Sequence, residues 1–159
     1  MKGYRTLAID PGPIKSAWLV LEDEQPTHFA IDDNVRLVEL LPLLALRADV
    51  VVIERIESYG MPVGREVFDT VLWSGRFWQA LEDAHRAVRF VGRRDVKLAI
   101  CHSSKANDAT IRQALIDRYG GKDAAIGRQA TPGPLHGIVK DVWAALALAI
   151  ANRDLERAS

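Results

Sequence analysis

This chain has almost no cysteine, no excess of either charge and no long apolar run. Its one cysteine, Cys101, excludes a disulfide framework and a cysteine-rich zinc site, and it fits a reducing compartment. No run reaches the roughly 18 apolar residues of a membrane span. The N-terminus enters an apolar strand at once, without the apolar region of a signal peptide. We therefore expect a cytoplasmic protein with no membrane association.

The charge balance limits how the chain can meet nucleic acid. Lys and Arg together number 21, as do Asp and Glu, so the formal net charge is zero. No global field draws such a chain to DNA, and any DNA binding must come from local basic patches. The 159 residues, 48% hydrophobic and 26% charged, are typical of a globular protein with a real core. Without repeats or linkers, we expect one domain over residues 1–159.

Apolar runs and turn signals predict an α/β fold. The strands are predicted at residues 4–10, 16–21, 27–31, 49–54 and 88–91. The helices are predicted at residues 34–46, 65–87, 106–119 and 137–153. The opening meander favours antiparallel pairing, and the helical crossovers favour parallel pairing, which together make a mixed sheet with helices on both faces. We expect Asp32 or Asp33 to cap the first helix, and residues 122–134 to form a polar loop.

Three acids stand at positions that suggest a metal site. One apolar run ends at Asp10, just before a Pro-Gly turn whose bare backbone can admit a phosphate. A second ends at Glu54, and Asp141 opens an apolar helix. Adjacent strands lie roughly 5 Å apart, so Asp10 and Glu54 can be neighbours. A divalent cation would relieve their repulsion, and oxygen ligands favour Mg²⁺ or Mn²⁺.

Each acid also has an ordinary structural explanation. Asp10 fits an Asx turn, Glu54 fits an acid emerging at a sheet rim, and Asp141 fits an acid favoured by the helix dipole in a first turn. The conjunction of the three favours the metal site, because chance placement at two strand ends and one helix start is a weaker explanation than shared chemistry.

Three segments together resemble the RuvC-like Holliday-junction resolvases of the ribonuclease H-like fold. They are "AIDPG" with Ser16, "VVIERIESYG" and "DVWAALALAIA". The resemblance implies a mixed five-stranded sheet flanked by helices, with Asp10, Glu54 and Asp141 as catalytic metal ligands. It also implies Mg²⁺ as cofactor with Mn²⁺ substituting, branched DNA such as four-way junctions as substrate, and a homodimer. Gly75-Arg76 is similar to the glycine-bearing helix that forms the dimer interface in that family.

The chain departs from that family near its C-terminus. The last helix of the family often carries two metal-binding side chains three positions apart, but here Ala144 follows Asp141 at that spacing. Asp108, His136 or a water would have to supply the missing ligand. The compact chain is most similar to a phage or prophage branch.

Several side chains are candidates for DNA contact or charge stabilisation. The basic residues predicted to neutralise DNA phosphates are Arg93, Arg94, Lys97, Arg112 and Lys140. Otherwise they are solvated surface. Tyr59 is predicted to stack on an unpaired base at the junction centre, or else to anchor its own loop. Lys105 or Lys140 is predicted to stabilise charge on the phosphorane, and His136 to touch a metal or the scissile phosphate.

The sequence therefore predicts a crossover-junction endodeoxyribonuclease that hydrolyses phosphodiesters with two metal ions. Two other classes compete with it. A sugar-kinase or actin-like ATPase lobe also opens with a strand, an Asp and a glycine turn, but it needs a second phosphate loop. A non-catalytic DNA-binding or assembly module with a degraded site is favoured by Ala144.

Overall fold

A computed structural model describes residues 2–159 of the protein. The five main strands are β1 (Arg5–Asp10), β2 (Lys15–Glu22), β3 (Gln25–Asp33), β4 (Val50–Arg55) and β5 (Val88–Gly92). They form one sheet in the order β3-β2-β1-β4-β5. The meander β1-β2-β3 is antiparallel, whereas β1, β4 and β5 run parallel. The predicted mixed five-stranded sheet is confirmed.

Six α-helices and a small hairpin complete the described chain. The helices are α1 (Asn34–Leu44), α2 (Arg65–Asp83), α3 (Arg93–Cys101), α4 (Asp108–Arg118), α5 (Lys122–Ala125) and α6 (Val142–Ala158), with a 3₁₀ turn at Ala45–Arg47. Strands β6 (Gly127–Arg128) and β7 (Thr131–Pro132) pair with each other. No helix within residues 2–159 is both long and apolar enough to cross a bilayer.

The sheet separates two hydrophobic cores, and the pleat of β1 assigns its residues to them. Leu7 and Ile9 pack on the side of α1 and α2, whereas Ala8 packs on the side of α3, α4 and α6. Side chains alternate along a strand, so Asp10 follows Ala8 to the α6 side. The N-terminal end of α6 is thereby placed near the end of β1.

Helix boundaries differ from the predicted ones where the backbone takes left-handed conformations. The second helix ends at Asp83 rather than at residue 87, because His85 has a φ of 58°. The last helix begins at Val142 rather than at residue 137, because Gly137 and Lys140 have φ values of 85° and 48°. Helix α3 was not predicted. Only Val96 is fully buried in it, so its sequence carries a weak amphipathic signal.

One local prediction is wrong, and another holds for the position of a residue but not for its side chain. Residues 122–134 are not a plain loop but contain α5 and the β6-β7 hairpin. Neither predicted cap of α1 acts through its side chain. Asp33 occupies the N-cap position without a side-chain hydrogen bond, and the Asp32 carboxylate accepts from the Trp18 indole N–H at 2.8 Å instead.

Candidate metal and DNA site

The carboxyl ends of the three parallel strands meet at one edge of the sheet. Ile9 pairs with Ile53 in the parallel ladder, so Asp10 and Glu54 follow side by side. Glu54 in turn pairs with Val91, two positions before Arg93 opens α3. Adjacent strand ends therefore deliver two carboxylates and one guanidinium to the same edge.

The turn that follows Asp10 is fixed by two buried polar residues. The Gly12 N–H donates to Ser16 Oγ at 3.0 Å, and the Ser16 hydroxyl donates to Asn34 Oδ1 at 2.6 Å. The Asn34 amide donates back to the Gly12 carbonyl at 2.8 Å. A Cβ at position 12 would lie 2.2 Å from the Lys15 carbonyl oxygen, so only glycine fits. The sequence showed Gly12 and Ser16, but Asn34 lies 18 residues beyond Ser16 and gave no local signal.

Asp10 carries the strongest electrostatic perturbation at this edge. Burial raises the pKa of its carboxyl well above the usual 3.8. A hydrogen bond with the Glu54 carboxyl and the charges of Glu54 and Asp141 raise that pKa further, while Arg93 opposes them. The two acids at the strand ends are therefore in contact, and Asp141 is near enough to act on Asp10.

Asp141 lies less deeply than the strand acids. It is the exposed N-cap residue of α6, and its side chain caps no backbone N–H. Across residues 2–159, no three Asp, Glu, His or Cys side chains lie close enough together to form a ready-made metal site. The structure thus brings together two of the three predicted ligands and places the third beside them.

The donor chemistry of these acids fits a hard divalent cation. Carboxylate oxygens are the ligands that Mg²⁺ and Mn²⁺ prefer. Burial first, and then the Glu54 and Asp141 carboxyls, raise the pKa of Asp10, so a bound cation would stabilise its ionised form. Ala144, three positions after Asp141, supplies no donor.

Arg93 is held by acids on two sides. Its Nη1 lies 3.8 Å from Glu54 Oε1, and its Nη2 contacts the Asp108 carboxylate. Asp108 is the solvent-exposed first residue of α4, which Asn107 caps through a capping box with Thr110. The predicted metal-ligand candidate Asp108 is thus an ion-pair partner of Arg93 in this structure.

A small cavity is lined by Asp108 and Asp141 together with three of the predicted basic residues. Its volume is about 70 Å³, and its lining includes Arg93, Asp108, Arg112, Lys140, Asp141 and Ala144. The Arg112 guanidinium also lies 4.8 Å from the centre of the Trp143 ring. Two predicted DNA-binding residues, Arg112 and Lys140, therefore share the face of Asp141.

Tyr59 and the α3 cations lie at the next strand end. The phenolic oxygen of Tyr59 accepts the backbone N–H of Arg94 at 3.2 Å, while 57% of the residue stays exposed. Lys97 follows one turn later on α3. Arg94 and Lys97 therefore both lie on the helix that directly follows β5, with Tyr59 in contact with its first turn.

Two weaker candidates are not drawn into the acid cluster. His136 Nδ1 lies 3.1 Å from the Ile126 carbonyl oxygen. The backbone N–H of Lys105 donates to Ser103 Oγ at 3.2 Å. Neither side chain lines the small cavity or acts on the pKa of Asp10.

Helix α2 has apolar residues on a buried face and on an exposed face. Phe77 and Leu81 are fully buried. The outward apolar residues are Phe68, Val71, Leu72 and Trp78, each at least 45% exposed. Gly75 lies among them with nothing within 4 Å of its Cβ position. Beside it a groove of about 710 Å³ runs towards Phe90 of β5.

Comparison with solved structures finds the same fold in a DNA-junction resolvase. "T. thermophilus RuvC in complex with Holliday junction substrate" superposes with a TM-score of 0.76 at 17% identity, covering 98% of this chain and 96% of that one. "Thermus thermophilus RuvC structure" gives a TM-score of 0.69 at 17% identity, with 97% and 96% covered. No model of a protein family matches the chain, and no curated protein does.

The fold predicted from three short motifs is therefore confirmed over nearly the whole chain: it is the RuvC variant of the ribonuclease H-like fold. The likeness, at 17% identity, is one of fold. The phage or prophage origin stays a prediction.

Proposed function

We propose that this protein is a metal-dependent endodeoxyribonuclease that cuts branched DNA, with four-way junctions as its preferred substrate. One observation carries the proposal. Asp10 and Glu54 are neighbouring carboxylates at the carboxyl edge of the parallel strands, in a chain whose fold matches that of a resolvase solved with a Holliday junction. The mutual perturbation of these acids is the kind that functional sites concentrate.

The acids supply the chemistry of the proposed site. Asp10, Glu54 and Asp141 would hold Mg²⁺, which supplies an activated water and a Lewis acid for the leaving oxygen. Ser16 and Asn34 fix the turn after Asp10, and this fixes the position of its carboxylate. Lys140, beside Asp141 in the cavity lining, is better placed than Lys105 to stabilise charge on the phosphate.

Basic residues around this edge support binding of a DNA backbone. Arg94 and Lys97 lie on α3, and Arg112 and Lys140 line the small cavity beside Asp141. Such side chains neutralise phosphates and make binding depend on salt. The exposed ring of Tyr59 is available to stack on a base that is unpaired at a junction.

The outward face of α2 supports a homodimer. It exposes four large apolar side chains around an open glycine, and such a patch is typical of an interaction surface. A four-way junction is roughly two-fold symmetric, so an isologous dimer would present two matched sites to it.

The dimer is tested by a charge in the apolar face. L72E should shift the protein to monomers in light scattering, because the glutamate would be buried between copies. L43E is the matched control, since Leu43 on α1 is 69% exposed and Leu72 is 68% exposed. Dissociation by both variants or by neither would contradict the interface.

The enzyme activity is tested on three substrates with Mg²⁺: a four-way junction, a flap and a linear duplex. We expect paired nicks in the junction, less cutting of the flap and none of the duplex, and no cutting when EDTA replaces Mg²⁺. The alternative is a non-catalytic DNA-binding module. It is favoured by Ala144 and by the lack of a ready-made three-ligand site within residues 2–159, and tight junction binding without cleavage would support it.

A further inference from the structure

Arg93 occupies an unusual place for a cation. It is the first residue of α3, directly after the N-cap Gly92. The positive end of a helix dipole disfavours a cation in the first turn. Its side chain is nevertheless only 25% exposed. The contacts with Glu54 and Asp108, rather than its own helix, therefore determine where the guanidinium lies.

The guanidinium stands between the strand acids and the α6 acid. It is within ion-pair distance of Glu54, and it lines the same small cavity as Asp141 and Ala144. A second divalent ion on this side would find no ligand at Ala144. It would also meet a fixed positive charge, because an arginine does not lose its proton in proteins.

We propose that Arg93 serves as the second cation of the carboxylate cluster, so that the cluster binds one divalent ion instead of two. This inference rests on the proposed function. The guanidinium supplies a permanent charge and a planar set of donors that suit a phosphate oxygen. It replaces the predicted two-ion arrangement with one ion and one arginine. Asp108 then serves to orient Arg93 from the solvent side.

The proposal predicts the direction in which the affinity for a divalent ion changes when Arg93 is replaced. A fixed positive charge close to Glu54 repels a divalent ion, so removing it should tighten metal binding. If Arg93 only positioned Glu54 for a metal, its removal would loosen metal binding. If Arg93 bound only DNA, its removal would leave the metal affinity unchanged.

The experiment is a Mn²⁺ titration of the full chain without DNA, with free Mn²⁺ followed by electron paramagnetic resonance. Wild type should bind one Mn²⁺ per chain. R93M should bind Mn²⁺ at least about tenfold more tightly, because the nearby positive charge is gone. R94M is the matched control: Arg94 is the exposed next residue and changes the net charge equally, and its affinity should stay within about twofold of wild type because solvent screens exposed charges. R93K keeps the charge and should bind Mn²⁺ less tightly than R93M.

The outcomes separate this inference from the proposed function. Two Mn²⁺ ions per wild-type chain, or an R93M affinity equal to or below that of wild type, would overturn the role of Arg93, while junction cleavage by wild type would leave the nuclease standing. Failure of both proteins to bind Mn²⁺, together with no cleavage, would overturn both. If R93M loses its far-ultraviolet circular dichroism, R93Q decides instead, because it also removes the charge but keeps hydrogen-bonding atoms, and it should bind Mn²⁺ more tightly than wild type.

Discussion

The acidic side chains at the two ends of the sheet differ in the partners that they contact. At the end where β1 begins, Glu22, Asp49 and Glu156 each accept from an arginine side chain or a backbone N–H. Arg5 Nε lies 3.1 Å from Glu22, the Arg5 backbone N–H donates to Asp49 at 2.7 Å, and Arg89 lies 2.7 Å from Glu156. At the end where β1 stops, Asp10 and Glu54 contact each other and share Arg93.

The contrast distinguishes acids that have structural partners from the acids of the proposed site. Salt bridges and backbone donors satisfy the acids at the first end, so these acids need nothing further. The second end keeps two carboxylates in contact, and burial holds the pKa of one of them high. Such an arrangement costs stability unless a ligand relieves it. Two neighbouring carboxyls at one strand edge, one of them held at a raised pKa by burial, are therefore the physical mark of the proposed site.

The largest expected effect is the difference in cleavage rate between a variant that neutralises an acid at the second end and one that neutralises an acid at the first end. E54Q should reduce junction cleavage by at least about 10³-fold, because a metal ligand contributes several kcal/mol to the transition state. E22Q should cut within about twofold of wild type, since the half-buried Arg5–Glu22 ion pair lies at the opposite end of the sheet from Asp10. Initial rates at saturating Mg²⁺ measure both. Equal losses would show that the two ends do not differ in function.

The next effect concerns the turn that positions Asp10. N34A should lower the free energy of unfolding by about 1–3 kcal/mol, because it leaves the Ser16 O–H without an acceptor and the Gly12 carbonyl without the Asn34 donor. It should also lower cleavage. The control N107A removes the cap of α4, costs about 1 kcal/mol and should leave cleavage unchanged. Urea melts and cleavage rates measure the two readouts, and cleavage by N34A at the wild-type rate would contradict a positioning role.

A smaller effect is expected on thermal stability, where replacing Asp10 should raise the melting temperature at neutral pH. The raised pKa of Asp10 means that the folded chain favours the neutral carboxyl. That stability is fully present below pH 3.8 and is lost as pH rises through the raised folded value. D10N should therefore melt higher than metal-free wild type at neutral pH, by about 2–4 °C for each kcal/mol.

The melting difference between D10N and wild type should vanish on acidification below pH 3.8. E22Q, from the other end of the sheet, should show no gain at any pH. A lower melting temperature for D10N at neutral pH would contradict the account of this end.

The smallest effect is on the salt dependence of junction binding. Six phosphate contacts would give a log-log slope of about −5. Arg93 forms ion pairs with acids. Arg94 and Lys97 are therefore the cations of α3 that we expect to contact phosphates. R94A/K97A should flatten the slope by about 2, and by the same amount on junctions of different sequence. R36A/R47A, which removes two exposed cations from the α1 region, should leave the slope unchanged.

The sequence predicted the parts of the fold that follow from local patterns. The unbroken apolar runs before Asp10 and Glu54 identified β1 and β4, and the parallel pairing of these strands follows from the helical connection. The adjacency of the two acids was therefore predictable. Helix α3 was missed because a polar sequence with one buried residue, Val96, resembles a loop.

The rest of the site depends on contacts between distant segments. Asn34 reaches the Gly12 turn only because β2 and β3 fold back on β1. Arg93 was predicted to contact DNA as one of three clustered cations. Its contacts with Glu54 and Asp108 arise from the parallel register of β4 and β5 and from the position of α4, which no local pattern encodes.

The most direct test compares binding and cleavage of a four-way junction by wild type and D10N in the same Mg²⁺ buffer. The account predicts that wild type cuts the junction, and that D10N binds it with similar affinity and leaves it intact, because asparagine keeps the shape of Asp10 but not its charge. Cleavage by D10N at a rate near that of wild type would contradict the assignment of the site to this edge of the sheet.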